Sequence, residues 1–239
     1  MIKPLLIENN SSILYQYWLG TWALGGMHFG KQPFKERLRT LDYAYELGFR
    51  YIDTALFYAK GSALALLKYF LSNYSRKAFF IASKGGLVWD GNKVRHAGSK
   101  QALQLDLEQT LEQLSTDYID LYQLHWPDPN LPLLESINAL ISFQSQGLIR
   151  YWGLCNISFE MLQAFLDQLQ LPQSIFLQFK YNILNQQSLS DIQCAKSKGF
   201  TIVSYSPFEQ GLLANSRYLQ GMSALSKKDA RRRNYSFSS

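Results

Sequence analysis

The sequence has only two cysteines, Cys155 and Cys194, and three histidines, His28, His96 and His125, in 239 residues. None of them is paired at the C-x-x-C or H-E-x-x-H spacing that holds a metal, which leaves little support for a zinc site or a metal hydrolase. Two cysteines make no disulfide framework, so a reducing compartment fits, and neither has a histidine partner evident for a cysteine nucleophile. The N-terminus runs Met1-Ile2-Lys3-Pro4 to Glu8, Asn9 and Asn10 without a long apolar stretch. Neither a signal peptide nor a membrane span is expected, and the expected location is the cytoplasm. There is no Gly-x-Gly-x-x-Gly; Gly20 and the pair Gly25-Gly26 do not match it, which weighs against an open dinucleotide-binding sheet. The net charge of +6 is modest, and five of 24 basic residues fall at Lys227, Lys228, Arg231, Arg232 and Arg233. No aromatics interleave that run as a nucleic-acid groove would require, so it reads as a solvated loop, with no nucleic-acid partner.

What is present is alternation. Hydrophobic residues make up 47% of the chain, enough for a sizeable core. Apolar strand-like runs at 13–20, 51–53, 78–84, 119–125, 151–156, 175–181 and 201–206 alternate with helical patterns at 34–47, 61–70, 100–114, 133–146, 159–168 and 188–198. In the third helix Leu103, Leu107, Leu111 and Leu114 share one face. Seven strands and six helices in this order imply parallel βαβ units in one domain over 1–239, with 207–239 an irregular basic segment. Polar residues close several strands separately, which favours an α/β fold of the (β/α)8 TIM-barrel type over an open sheet with one switch point. No eighth strand is readable after Ser206, so the barrel reads as incomplete, with two unpaired edges.

Tyr51-Ile52-Asp53 ends in an acid, and Tyr58 follows in the next loop; Ile81-Ala82-Ser83-Lys84 ends in a lysine, and Leu121-Tyr122-Gln123-Leu124-His125 in a histidine. If a barrel brings these ends together, they form an acid–base set for carbonyl reduction. Tyr58 would donate the proton, and a Lys84 ammonium would lower its pKa. Asp53 would hold Lys84 charged, and His125 would bond to the carbonyl oxygen. Taken singly, each residue has an ordinary structural reading; their placement on successive predicted strands is what argues for function.

The segments Gly20-Thr21-Trp22, Asp53-Thr54-Ala55 with Tyr58, Ser83-Lys84, Leu124-His125-Trp126-Pro127-Asp128-Pro129, Gly153-Leu154-Cys155-Asn156, Gln178 with Tyr181-Asn182, and Tyr205-Ser206-Pro207 resemble the aldo-keto reductase family in the same order, over roughly residues 15 to 233. The resemblance implies a (β/α)8 barrel, NADPH as hydride donor, a small carbonyl substrate, and Asp53, Tyr58, Lys84 and His125 as the catalytic tetrad. It also implies that Thr21, Trp22 and Asp53 approach the cofactor. Cys155, Asn156 and Gln178 would hold the nicotinamide carboxamide, and Tyr205 would stack on its ring. Ser206, Pro207, Phe208, Gln210, Gly211 and Arg217 would surround the pyrophosphate. The chain departs from the family where Cys155 replaces a common serine, and where Ala59-Lys60-Gly61 leads to Ala63-Leu64 in place of a glycine and a later glutamate. The family's last strand and its adenine-side contacts have no counterpart here. A nucleotide-sensing subunit akin to potassium-channel β subunits, which share a segment similar to Tyr151-Trp152-Gly153, and a truncated, inactive family member are the competing readings. The substrate pocket is expected along Trp22, Trp126 and the segment after Lys84 that contains Trp89 and His96.

Overall fold

The computed structural model describes residues 17–27, 29, 30, 32–166, 175–216, 225, 229–233 and 236. Its elements in chain order are β1 (Leu19–Gly20), α1 (Phe34–Glu46), β2 (Tyr51–Asp53), α2 (Ser62–Leu71), β3 (Phe80–Gly85), β4 (Leu87–Asp90), β5 (Lys93–His96), α3 (Lys100–Leu114) and β6 (Ile119–Leu124). There follow α4 (Leu133–Ser145), β7 (Ile149–Cys155), α5 (Phe159–Leu166), β8 (Phe176–Lys180), α6 (Leu189–Ser197) and β9 (Thr201–Tyr205). Of the expected first strand, Leu19–Gly20 pairs, Tyr17 and Trp18 lie outside the strand, and residues 13–16 lie outside the described residues.

Helix boundaries follow local chemistry. Pro33 precedes α1 and Pro132 precedes α4, each with the fixed φ suited to a helix start. Ser99 caps α3, its hydroxyl accepting from the Ala102 amide at 3.4 Å.

Seven strands pair in the order β1-β2-β3-β6-β7-β8-β9, every pairing parallel, with β1 and β9 at the edges. The sheet curls. Trp18, beside edge strand β1, lies 5.6 Å from the Phe80 ring on β3 and 6.3 Å from Phe176 on β8. Phe80 and Phe176 are themselves 6.5 Å apart although two strands separate them in the sheet. A flat sheet would hold strands three places apart at about 14 Å. The seven strands therefore form most of a (β/α) barrel.

The period of two along each strand divides the core. Outward residues Ile52, Ile81, Tyr122, Leu124, Trp152, Leu154 and Leu177 pack with helix residues Leu67, Phe70, Leu107, Ile137, Leu140 and Phe143. Inward residues Phe80, Ala82, Leu121 and Phe176 pack with Trp18, Tyr51, Tyr151 and Val203. Each fully buried Leu or Phe contributes about 1.5–3 kcal/mol. Gly153 permits β7 to approach β8, since a Cβ there would lie 2.5 Å from the Phe176 carbonyl oxygen.

The N-terminal end of the barrel is tied by Asp120. Its buried carboxylate accepts from Arg76 at 2.6 Å, Arg150 at 3.0 Å and the Ile81 amide at 2.9 Å. Both guanidinium groups also lie over the Tyr118 ring, at 4.4 and 4.0 Å. The segment after Lys84, expected as a loop, is instead the antiparallel hairpin β4–β5, turned at Gly91 with φ 60°. Asp90 pairs with Lys93, so the two-residue turn is Gly91-Asn92, and that Gly-Asn step between two short β-prone runs is the sequence signal for it.

Candidate active site

The strands deliver their polar residues to the C-terminal rim. Asp53 ends β2, Lys84 lies near the end of β3, Cys155 ends β7, Gln178 is on β8, Tyr205 ends β9, and His125 follows β6. Tyr58 comes from the turn after β2, where Ala59, Lys60 and Gly61 all have left-handed backbones, with φ of 51°, 55° and 87°. Two of these carry a Cβ, a conformation that costs roughly 1–2 kcal/mol per residue.

Lys84 is the hub. Its ammonium, 2% exposed, donates to Asp53 Oδ1 at 2.6 Å, to the Tyr58 hydroxyl at 3.1 Å and to the Thr54 carbonyl at 3.2 Å. These three acceptors match its three donors. Gln178 Nε2 donates to Asp53 Oδ2 at 3.0 Å, and the Cys155 thiol donates to Gln178 Oε1 at 3.2 Å. Thr21 lies beneath, its hydroxyl 3.1 Å from the Asp53 carbonyl and 2.9 Å from the Thr54 hydroxyl. Asn156, at φ 57°, donates from Nδ2 to the His125 carbonyl at 2.9 Å and accepts from the Tyr205 hydroxyl at 2.7 Å. His125 packs edge-on to Tyr58 and Phe57, at 5.8 and 6.0 Å between ring centres. Trp22 lies 6.2 Å from Tyr58.

Burial sets the protonation states. It pushes the Tyr58 phenol well above its usual value, and the Lys84 charge, which acts the other way, does not reverse that. The sequence expectation of a lowered phenol pKa thus has the sign of the Lys84 contribution right and the net direction wrong. Burial disfavours the Lys84 ammonium, but Asp53 and Tyr58 together raise its pKa above the usual value. Burial and then Lys84 hold the His125 imidazole well below its usual value, so it is neutral at pH 7. Burial also raises the Cys155 thiol and lifts Tyr205 to about 12.

Of the residues singled out in the sequence, Thr21, Asp53, Tyr58, Lys84, Cys155, Gln178, His125, Asn156 and Tyr205 come together at the barrel mouth, with Trp22 against Tyr58. Ser206, Pro207, Phe208, Gln210 and Gly211 form the adjoining turn after β9, in which Ser206, Gln210 and Gly211 have positive φ. Arg217 lies outside the described residues. Between the named positions of that turn sits Glu209, fully buried, which pairs with Lys180 at 2.7 Å and accepts from Asn182. Neither its role nor that of the Thr54 carbonyl has a signal in the sequence; Asn182 stands out there only as part of the Tyr181-Asn182 segment. Part of the basic run folds back instead of lying solvated. Arg231 is half-buried, bonds to Asp229 at 2.7 Å and to the Gln210 carbonyl at 3.2 Å, and lies over the Phe29 ring at 5.5 Å.

Trp89 stacks on Phe57 at 4.7 Å and 2°, and its indole donates to the Phe57 carbonyl at 2.9 Å. Trp89 and His96 help to line a cavity of about 600 Å³ between the β4–β5 hairpin, α3 and the loop at Asp128. Phe57, in contact with both Trp89 and His125, lies at the boundary between this cavity and the tetrad.

A parallel barrel with this rim defines a class, and comparison with known proteins gives its family. The aldo/keto reductase family model matches residues 18–236, and the chain belongs to that family. It is 33% identical over 198 residues to aldo-keto reductase YhdN of Bacillus subtilis, covering 82% of this chain and 59% of that protein. It is 27% identical to the NADH-specific methylglyoxal reductase of Escherichia coli, covering 90% of this chain and 70% of the enzyme. Among solved structures, the glycerol dehydrogenase AKR11B4 of Gluconobacter oxydans superposes with a TM-score of 0.78 at 29% identity, over 92% of this chain and 67% of that one. An aldo-keto reductase of Klebsiella pneumoniae in complex with NADPH superposes with a TM-score of 0.68 at 25% identity, over 84% and 67%. The chain thus spans about 59–70% of the length of these relatives.

Proposed function

We propose that this chain reduces an aldehyde or ketone to an alcohol, with NADPH as hydride donor and Tyr58 as general acid. The observation that carries the reading is the unbroken line from Asp53 through Lys84 to the Tyr58 hydroxyl, at 2.6 and 3.1 Å. When bound, the nicotinamide supplies the hydride. Tyr58 keeps its proton at neutral pH because burial opposes the phenolate. As charge develops on the carbonyl oxygen, Tyr58 gives up that proton, and Lys84 stabilises the phenolate left behind. Asp53 keeps Lys84 charged throughout. Neutral His125 donates one hydrogen bond to the same oxygen; a preorganised donor of this kind is worth roughly 3–4 kcal/mol.

The rim also suits the cofactor's chemistry. The Asn156 and Gln178 amides flank Cys155 close to Tyr205, a donor and acceptor set suited to a carboxamide beside an aromatic face. Ser206 and the turn through Gly211 are proposed to meet the pyrophosphate. Small oxo-aldehydes are the first substrates to try, since methylglyoxal reductases occur among the relatives. The test is titration of the purified chain with NADPH and with NADH, followed by turnover of methylglyoxal and aromatic aldehydes. Saturable micromolar binding with turnover supports the reading. Binding without turnover moves it to a nucleotide-sensing subunit, and no binding up to millimolar overturns it.

A further inference from the structure

We propose that Gln178 is a positioning residue of the proton relay, fixing the Asp53 carboxylate so that Oδ1 stays on Lys84; this rests on the roles proposed above for Asp53, Lys84 and Tyr58. A carboxylate turns easily about its last side-chain bond, which has broad rather than sharply staggered minima. The Lys84 contact at 2.6 Å restrains one oxygen of Asp53, and the Gln178 amide restrains the other at 3.0 Å. Those contacts come from β3 and β8, on different sides of β2 around the curl.

Gln178 can serve this way only if its amide faces one way, with nitrogen toward Asp53. Cys155 sets that orientation. It pairs with Gln178 in register across β7 and β8, and its thiol donates to Oε1 at 3.2 Å. A thiol has a proton to give and a carboxylate has only lone pairs, so the amide that accepts from one must donate to the other. Burial keeps the thiol protonated and hence a donor. Cys155, Gln178, Asp53, Lys84 and Tyr58 are thus linked by one continuous chain of hydrogen bonds through β7, β8, β2, β3 and the turn after β2, in which Asp53 accepts from both sides and Lys84 donates to both. Among the described residues, the other titratable groups facing it are His125 beyond β6 and Tyr205 on β9, and the segment after β1 contributes the Thr21 hydroxyl.

The decisive experiment follows the Lys84 Nζ resonance by 15N NMR in the full chain without cofactor, assigned by its loss in Lys84→Met. In the wild type the ammonium holds its charge above the ordinary lysine range, which sets the reference. In Gln178→Met, similar in length but without donor or acceptor, Lys84 should titrate at least about one pH unit lower and its protons should exchange about tenfold faster. The alkaline limb of the kcat profile at saturating cofactor should move by the same amount. Cys155→Ser, which keeps a donor, should leave the Lys84 resonance of the cofactor-free chain where the wild type has it. A Lys84 resonance unchanged in Gln178→Met, with only cofactor affinity altered, overturns the proposal. If Gln178→Met does not fold, Cys155→Val decides: it frees the amide to flip and should shift Lys84 in the same direction by less, and no shift there is equally fatal. If the wild type turns over no carbonyl, the functional reading fails, while the resonance still decides the role of Gln178.

Discussion

Replacing Tyr58 with Phe removes one oxygen from the candidate site and little else. The Tyr58 side chain is buried against Trp22 and His125, and Phe fills the same ring volume. Lys84 loses its bond of 3.1 Å but keeps Asp53 at 2.6 Å and the Thr54 carbonyl at 3.2 Å. One lost hydrogen bond to a charged group costs about 1.5–3 kcal/mol at most, part of it recovered because burial of the phenol oxygen is also removed. The melting temperature should therefore fall by only a few degrees. The chemical step loses its proton donor, an effect of roughly 10²–10⁴ in rate, or about 3–5 kcal/mol on the barrier. Steady-state reduction of methylglyoxal, cofactor binding by fluorescence and thermal melts should be run together on Tyr58→Phe and the wild type. The expected pattern is kcat down by at least about 100-fold, cofactor affinity within about threefold, and a small shift in melting. A kcat within tenfold of wild type would remove Tyr58 from the role of general acid.

Asp120→Ala should destabilise the fold by about 3 kcal/mol in urea melts, because Arg76 and the Ile81 amide lose a buried partner at the end of the barrel remote from the tetrad. Cofactor affinity measured on the folded fraction should be unchanged; a loss of less than about 1 kcal/mol would show the network to be redundant. Burial pushes the Asp106 carboxyl up to about 7 from 3.8, against the lowering effect of its bond with Tyr122. The folded state therefore holds a proton that the unfolded state releases between those two values, and stability falls as pH rises through 7. Asp106→Asn should gain about 1–3 kcal/mol at pH 8 and almost nothing at pH 4, and equal effects at both would refute the titration argument. Asn156→Ala places a Cβ without a compensating amide at φ 57° and cuts the links to His125 and Tyr205. It should cost more stability than Asn156→Gly by about 1 kcal/mol, and equal melting of the two would show that the backbone there relaxes freely.

Much of the scaffold was legible because parallel strands buried on both faces read as apolar runs, and β2, β3, β6, β7, β8 and β9 fall within two residues of where those runs lie. The rim placement of Asp53, Lys84 and His125 was legible for a related reason: an acid, a lysine and a histidine each close such a run, at the end where a barrel of this type opens. The hairpin was not, since Trp89, Lys93 and Arg95 alternate too irregularly to separate strand from loop, and only Gly91-Asn92 marks the turn. Nor was the Thr54 carbonyl, because a backbone acceptor has no sequence signature. Glu209 looks in sequence like a solvated loop residue. Its partners Lys180 and Asn182 come from another segment, and only the pairing of β8 with β9 brings them near.

The direction of the Tyr58 shift shows why residue types alone could not settle the electrostatics. The sequence supplies a cation close to a phenol and therefore predicts a lowered value; it does not reveal that the phenol is also removed from water, which is the larger effect. That burial follows from the curl of the sheet. Gln178 on β8 reaches Asp53 on β2 at 3.0 Å, strands that lie four places apart in the sheet order. At the opposite end Trp18 and Phe80 reach Phe176. One apolar and one polar cross-barrel contact therefore hold the same curvature, and the polar one is built from the residues proposed to manage the proton. A substitution that weakens the Trp18 contacts should consequently disturb Lys84 without touching it, whereas Asp120→Ala, which ties adjacent strands from outside the barrel, should not.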